Sequence, residues 1–262
     1  EDQEVFYLVS PCFMHRFFIP PEECHNNPLL LSPAESKHAR SVLRLREGDR
    51  VVVLNGAGKE LLCQAAEARN DSTTLEIIQE NSIPPLPFEI TLYQAVAKGK
   101  AMDFIVQKAT ELGANRVVPV LSERSVPDWD DAKTAAKVEK WRSICIESIK
   151  QCGSAWLPRL ELPMTPKAAL DDARQSDLSL IATLQPDAKH PREQIDAHAV
   201  EHGQAPGKLA IWVGPEGDYT PAEINTIRTG AQPITLGPLV LRSETAAIYC
   251  LAVLNYELQA RQ

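Results

Sequence analysis

Hydrophobic and polar positions fall into two rhythms along the 262-residue chain. Up to about residue 80 the apolar positions come in short runs of β type. Residues 15–19, 50–55, 59–68 and 73–79 read as strands joined by turns. One helix interrupts them. Ser32-Pro-Ala-Glu35 has the form of a capping box with proline at the first helical position, and predicts a helix to about Leu45. The set fits a small β-barrel. From residue 89 onward strands alternate with helices. Residues 89–97, 116–121, 178–183, 209–213 and 233–236 are apolar strand runs. Residues 102–112, 132–150, 220–229 and 244–258 carry helical spacing or caps, with Gly113 ending the first of them. Apolar strands separated by helices imply an α/β domain with a mostly parallel sheet covered on both faces. Between the two rhythms lies Ser82-Ile-Pro-Pro-Leu-Pro87, which can continue neither a helix nor a central strand. The expected domains are therefore 1–82 and 83–262.

Composition adds little to this picture. At 44% hydrophobic and 24% charged residues the chain is ordinary for a globular protein. It holds no apolar run of about 18 residues, so no membrane span is expected. Residues 1–10 are acidic and lack the features of a signal peptide. Cys12, Cys24, Cys63, Cys145, Cys152 and Cys250 form no CxxC pair, which points to reduced, mostly buried thiols of a cytoplasmic protein.

Charge is more informative. The net charge of −8 excludes a chain that is basic throughout. The distribution is uneven, however. Residues 37–50 carry five Lys/Arg against two Asp/Glu. Lys37, Arg40 and Arg44 are spaced to share one face of the first predicted helix, with Arg46 and Arg50 just beyond. That face is either solvated or a phosphate-contacting patch. Lys98, Lys100 and Lys108 form a second basic group.

Two strand-loop-helix junctions carry the candidate chemistry. Val213-Gly-Pro-Glu-Gly-Asp-Tyr-Thr220 follows an apolar strand and precedes a capped helix, the place where ligands bind in parallel α/β sheets. The plain alternative is a turn with a helix cap. Thr235-Leu-Gly-Pro-Leu-Val-Leu-Arg-Ser-Glu-Thr-Ala246 is the second junction. Arg242 is hard to explain as a cap, because a cation at a helix N-terminus opposes the macrodipole. Two other patterns are set aside. His198-Ala-Val-Glu-His202 matches a zinc-peptidase spacing but shows no clear third ligand and runs straight into Gly203, so no metal site is expected. Gly56-Ala-Gly-Lys59 lacks phosphate-loop spacing and reads as a hairpin turn.

Taken together, several segments resemble a known family. Met14-His-Arg-Phe-Phe18, His38-Ala-Arg-Ser-Val-Leu-Arg44, Gln107-Lys-Ala-Thr-Glu-Leu-Gly113, Gln151-Cys-Gly153, Val213-Gly-Pro-Glu-Gly217 and Leu236-Gly-Pro-Leu-Val-Leu-Arg-Ser-Glu-Thr-Ala246 occur in the order found in RsmE-type ribosomal RNA small-subunit methyltransferases. The resemblance spans nearly the whole chain. It implies a PUA-like β-barrel for residues 1–82 and a SPOUT-type domain with a deep trefoil knot for residues 83–262. It further implies S-adenosylmethionine as cofactor, methylation of N3 of a uridine in 16S ribosomal RNA, and a homodimer that acts on that RNA or on the small ribosomal subunit. Asp218 stands where the family usually has glycine. Leu239, Ala101 and Ser154 stand where it often has a basic residue.

On this resemblance Val213, Gly214, Pro215, Glu216, Gly217, Leu236, Gly237, Leu241, Ser243 and Thr245 are the expected cofactor contacts. Arg242 is expected to stabilise negative charge on the uracil oxygens as N3 loses its proton, with Glu216 or Glu244 assisting its departure. Arg16, Lys37, Arg40, Arg44, Arg46, Lys98 and Lys108 are expected to contact RNA. The competing readings are a related knotted methyltransferase acting on another RNA base, a catalytically inactive RNA-binding assembly factor, and a zinc hydrolase built on His198 and His202.

Overall fold

A computed structural model describes residues 14–68, 72–125 and 129–261. Cys12 and the acidic start at 1–10 lie outside the described residues. The chain divides into two compact units. One comprises residues 1–85 with 149–157, the other residues 86–148 with 158–262. The short segment 149–157 is thus grouped with the first unit, which the linear division at residue 82 does not anticipate.

The first unit is a five-stranded sheet. Its strands are β1 (Arg16–Phe18), β2 (Leu29–Leu30), β3 (Arg50–Leu54), β4 (Lys59–Ala68) and β5 (Thr73–Ser82), in the order β1-β3-β4-β5-β2. β1 and β3 run parallel and the other neighbours antiparallel. The two outer strands, β1 and β2, share no ladder among the described residues. Shifts of register at Leu62/Cys63 and Ala65/Glu67 bend β4. The β3–β4 hairpin is closed by Asn55, whose Oδ1 accepts from the N–H groups of Ala57 at 2.8 Å and Lys59 at 2.9 Å. This is the Gly56–Lys59 turn expected from the sequence. Phe17, Leu29, Leu31, Val51, Val53, Leu61 and Leu75 fill the core.

The first helix, α1 (Pro33–Ser41), differs from expectation in two ways. Only half of its capping box forms. Ser32 Oγ accepts from Glu35 N–H, but Glu35 Oε1 accepts from Lys150 Nζ at 2.8 Å. The helix also stops at Ser41, short of Leu45. Leu45 is buried, and turning it inward reverses the chain through Arg44, which sits at φ 58°. The turn is fixed by Leu45 N–H on Ala39 O at 2.9 Å and by Arg40 Nη1 on Leu45 O at 2.8 Å.

The second unit holds a six-stranded, wholly parallel sheet in the order β11-β9-β10-β6-β7-β8. Its strands are β6 (Glu89–Ala95), β7 (Arg116–Val120), β8 (Arg159–Leu160), β9 (Leu178–Ala182), β10 (Lys208–Val213) and β11 (Gln232–Ile234). The helices are α2 (Ala101–Glu111), α3 (Asp131–Cys152, whose end falls in the first unit), α4 (Pro166–Ala173), α5 (Pro191–His202), α6 (Pro221–Ile227) and α7 (Ser243–Gln259). Strand alternation sorts the side chains. Tyr93, Ala95, Val118, Val120, Ile181, Ala210 and Trp212 face one way and pack with Leu170, Ile224 and Ile227 of α4 and α6. α7 packs on β6 and β10 and against α2. Tyr93 and Trp212, neighbours in register, stack with ring centroids 4.5 Å apart.

One polar cluster lies at the edge of this core. Tyr93 Oη donates to Asp172 Oδ2 at 2.6 Å, and Arg116 donates to Asp172 at 2.6 Å and to Glu161 at 2.6 Å. Burial by itself would raise the Asp172 carboxyl; the hydrogen bonds from Arg116 and Tyr93 outweigh it and hold the group below its ordinary range.

Of the strands and α-helices, four went unread in the sequence: β2, β8, α4 and α5. The last two carry start signals, Thr165-Pro166 and His190-Pro191 with Glu193 at the third helical position, and both N-caps form. Their apolar faces are narrow, with Pro191, Gln194 and Ile195 the buried residues of α5, so periodicity is weak. His198 and His202 stack on α5 with centroids 4.3 Å apart. Among the described residues, no group of three or more His, Cys, Asp or Glu side chains could hold a metal ion. Among the same residues no helix is long and apolar enough to cross a membrane. Cys24, Cys63, Cys145, Cys152 and Cys250 are free thiols; Cys63, Cys145 and Cys250 are buried, and burial pushes Cys250 up to about 12.

Candidate active site

Three strands of the parallel sheet end at one cavity of about 280 Å³. It is lined by Ala182, Thr183 and Leu184 after β9, by Val213–Asp218 after β10, and by Leu236, Gly237, Leu239, Val240, Leu241, Ser243 and Ala246 after β11 and into α7. A parallel sheet gathers the C-terminal ends of its strands on one edge, so loops far apart in sequence converge there.

Nine of the ten residues expected to hold the cofactor line the cavity: Val213, Gly214, Pro215, Glu216, Gly217, Leu236, Gly237, Leu241 and Ser243. The tenth, Thr245, does not. It sits in the first turn of α7 and is exposed. The sequence reading missed the β9 contribution, because Thr183-Leu184 carries no glycine or charge to mark it. Asp218, Leu239, Val240 and Ala246 belong to segments already singled out.

The 214–220 loop is built tightly. A side chain at Gly214 would place Cβ 2.8 Å from Asp218 Oδ1, so the close turn needs glycine. Asp218 itself adopts φ 59°. Residues other than glycine seldom adopt positive φ. Aspartate is among the few residues that tolerate this region, and its Oδ1 accepts from Tyr219 N–H at 2.7 Å. Burial raises the Asp218 carboxyl above its ordinary value; the Tyr219 N–H bond and nearby Arg124 act against that rise. Arg124 in turn donates to the Gly217 carbonyl. The α6 capping box closes the loop, with Thr220 N–H donating to Glu223 Oε2 at 2.8 Å and Glu223 N–H to Thr220 Oγ1.

The lining is rich in polar groups that lack partners among the described residues. The main-chain groups of Leu236 and of Leu239–Leu241 make no hydrogen bond among the described residues. Thr183 is buried, and its Oγ1 has no partner among the described residues. A buried hydroxyl without a partner is costly unless a ligand completes it.

The three residues expected to act in catalysis are placed differently from one another. Arg242 is the N-cap residue of α7, between the cavity-lining Leu241 and Ser243. It is exposed, and its side chain has no partner among the described residues. Glu216 lines the cavity, and its Oε1 accepts from Lys98 N–H at 3.3 Å. Glu244 is half-buried in the first turn of α7 and does not line the cavity.

The expected RNA contacts also separate. Lys37, Arg44, Arg46 and Lys98 are exposed. Arg44 lies beyond the end of α1, so the single helical face expected for Lys37, Arg40 and Arg44 does not exist. Arg40 is committed to the Leu45 carbonyl. Arg16 Nη1 donates to the carbonyls of Lys150 at 3.4 Å and Gln151 at 3.3 Å, at the end of α3. Lys108 is paired with Glu111 at 2.7 Å and lies over the Phe104 ring.

A PUA-type unit followed by a parallel domain with a loop-lined cavity defines a class of RNA-modifying proteins, and comparison bears this out. The family model described as an RNA methyltransferase domain matches residues 84–255, and that described as an RNA methyltransferase PUA domain matches residues 31–78. A ribosomal RNA small subunit methyltransferase E from Aquifex aeolicus is 32% identical over 92% of this chain and 99% of its own. The structure of a putative methyltransferase from Legionella pneumophila, in complex with bound S-adenosylmethionine, aligns with a TM-score of 0.82 and 31% identity, covering 93% of this chain and 97% of the other. That of a ribosomal RNA small subunit methyltransferase E from Neisseria gonorrhoeae, bound to S-adenosylmethionine, aligns with a TM-score of 0.79 and 27% identity over 93% and 97%. The chain belongs to the ribosomal RNA small subunit methyltransferase E family.

Proposed function

We propose that this protein transfers a methyl group from S-adenosylmethionine to N3 of a uridine in 16S ribosomal RNA. The observation that carries the reading is the cavity at the ends of β9, β10 and β11, walled by main-chain groups with open hydrogen-bonding capacity. Such groups suit the donor and acceptor edge of an adenine, and the buried Thr183 hydroxyl offers one more polar contact. Glu216 and Asp218 place carboxylates on the wall, which suits ribose hydroxyls and a cationic ligand. When bound, the cofactor's sulfonium supplies an electrophilic methyl group.

The chain's own residues do the rest. The 214–220 loop and the 236–241 segment hold the cofactor. Arg242, exposed beside the cavity and unpaired among the described residues, stabilises the negative charge that builds on the uracil oxygens as N3 loses its proton. Glu216 accepts that proton in preference to Glu244, since only Glu216 lines the cavity. The target base leaves its stack to reach them. Lys37, Arg44, Arg46 and Lys98 contact phosphates, while Arg16, Arg40 and Lys108 serve the fold. A homodimer, a trefoil knot in residues 83–262 and a cytoplasmic location complete the reading. Exposed apolar side chains such as Val240 at 80% and Tyr256 at 70% support the homodimer.

The test is methyl transfer from labelled S-adenosylmethionine to assembled small subunits and to naked 16S RNA, followed by mass mapping of the product. N3-methyluridine at one position is the expected result. Label on another base, or none on either substrate, overturns the assignment.

A further inference from the structure

We propose that Gln94 is a positioning residue for cofactor binding: its buried carboxamide, acting through Ser243, fixes the spacing of the two loops that enclose the cavity. The inference rests on reading that cavity as the S-adenosylmethionine site.

Gln94 lies near the end of β6, between Tyr93 and Ala95, whose side chains enter the core under α4 and α6. Alternation therefore turns Gln94 to the opposite face, where α7 packs. It is wholly buried. Its Nε2 donates to the Ala95 carbonyl at 2.9 Å and to Ser243 Oγ at 3.0 Å. Ser243 Oγ donates to the Gly214 carbonyl at 2.6 Å. A polar chain thus runs from β6, through the first residue of α7, to the first residue after β10. Ser243 anchors the end of the 235–242 segment and Gly214 the start of the 214–220 loop.

The direction of each bond is determined. Turning the Gln94 amide over would set Oε1 against the Ala95 carbonyl, two acceptors facing each other. With Nε2 fixed on Ser243 Oγ, that oxygen is an acceptor and its only proton must go to Gly214. The Ser243 hydroxyl therefore has no proton to give a ligand; it lines the cavity as a spacer. Gln94 Oε1 is buried and has no partner among the described residues. An apolar side chain of equal size would avoid that unsatisfied acceptor, so the amide serves this site through its two donors.

The experiment is a double-mutant cycle on cofactor affinity in the full chain, read by calorimetry with S-adenosylmethionine, alongside thermal melting. Gln94→Met and Ser243→Ala each weaken binding about tenfold, what losing one such hydrogen bond costs. The double variant also loses about tenfold, because both changes break the same chain. At saturating cofactor, turnover of Gln94→Met recovers toward that of the unaltered protein. Unchanged affinity in Gln94→Met, whether or not its melting point falls, overturns the proposal, as does a double variant whose loss is the product of the two. Gln94→Leu, which also lacks the donors, carries the same expectation if Gln94→Met does not fold. Failure of the unaltered protein to bind S-adenosylmethionine would remove the reading of the cavity itself, before any variant is compared.

Discussion

The carboxylate of Glu223 accepts a hydrogen bond from the backbone N–H of Glu123, 100 residues earlier in the chain, at 2.9 Å. It also accepts from Ser122 Oγ at 3.2 Å and from Thr220 N–H at 2.8 Å. One buried side chain thus caps α6 and ties the loop after β7 to the loop that walls the cavity. Glu223→Ala leaves those buried donors without an acceptor. A loss of about 2–3 kcal/mol in denaturant unfolding is expected, together with weaker S-adenosylmethionine binding. A variant as stable as the parent would show that other groups hold the two loops.

Arg242 should act on the reaction and hardly at all on the cofactor. It has no partner to lose among the described residues, so Arg242→Ala should leave the melting point nearly unchanged. Methylation at saturating cofactor should fall about 10²–10³-fold, as when one charge-stabilising donor is removed elsewhere. Unaltered turnover would take Arg242 out of the mechanism.

Asp218 gives a pH dependence of defined sign. Burial raises its carboxyl above the ordinary value of 3.8, so the folded state binds that proton more tightly than the unfolded chain. The resulting stability is fully present below the unfolded value and is lost as pH rises through the raised one. Asp218→Asn tolerates the same backbone and keeps an acceptor for Tyr219 N–H, but carries no charge. At neutral pH it should be more stable than the parent by about 1 kcal/mol or less, and the gain should vanish on acidification. Parallel stability curves for the two proteins from pH 3 to about pH 7 would contradict this.

The basic segment separates into binding and structural residues. Replacing Lys37, Arg44 and Arg46 by alanine should lower the slope of log affinity for RNA against log salt by about 2, at about 0.7 per phosphate contact. Arg40→Ala should leave that slope in place and cost about 1 kcal/mol of stability, through the lost bond to the Leu45 carbonyl. A salt slope unmoved by the triple variant would mean that the face is only solvated.

How much of this was legible in the sequence depends on whether the signal was local. Alternation and helical spacing locate most elements of both units to within a few residues, since burying one face is a local demand on the pattern; β2, β8, α4 and α5 carry too weak a pattern to be read. The Thr220–Glu223 capping box forms as written, because its bonds lie within four residues. The junctions at 213–217 and 235–246 announce the cavity through glycine, proline and a misplaced cation. Long-range partners decided the rest. Glu35 turns from its capping box to Lys150, α1 stops early to bury Leu45, and Arg16, Arg40 and Lys108, equal in sequence to Lys37, are taken up by carbonyls or a carboxylate. Thr183 and Gln94 became visible only once strands from distant parts of the chain lay side by side. A residue type states what a side chain can bond; only the folded chain determines which bonds are made within the protein and which remain open to a ligand.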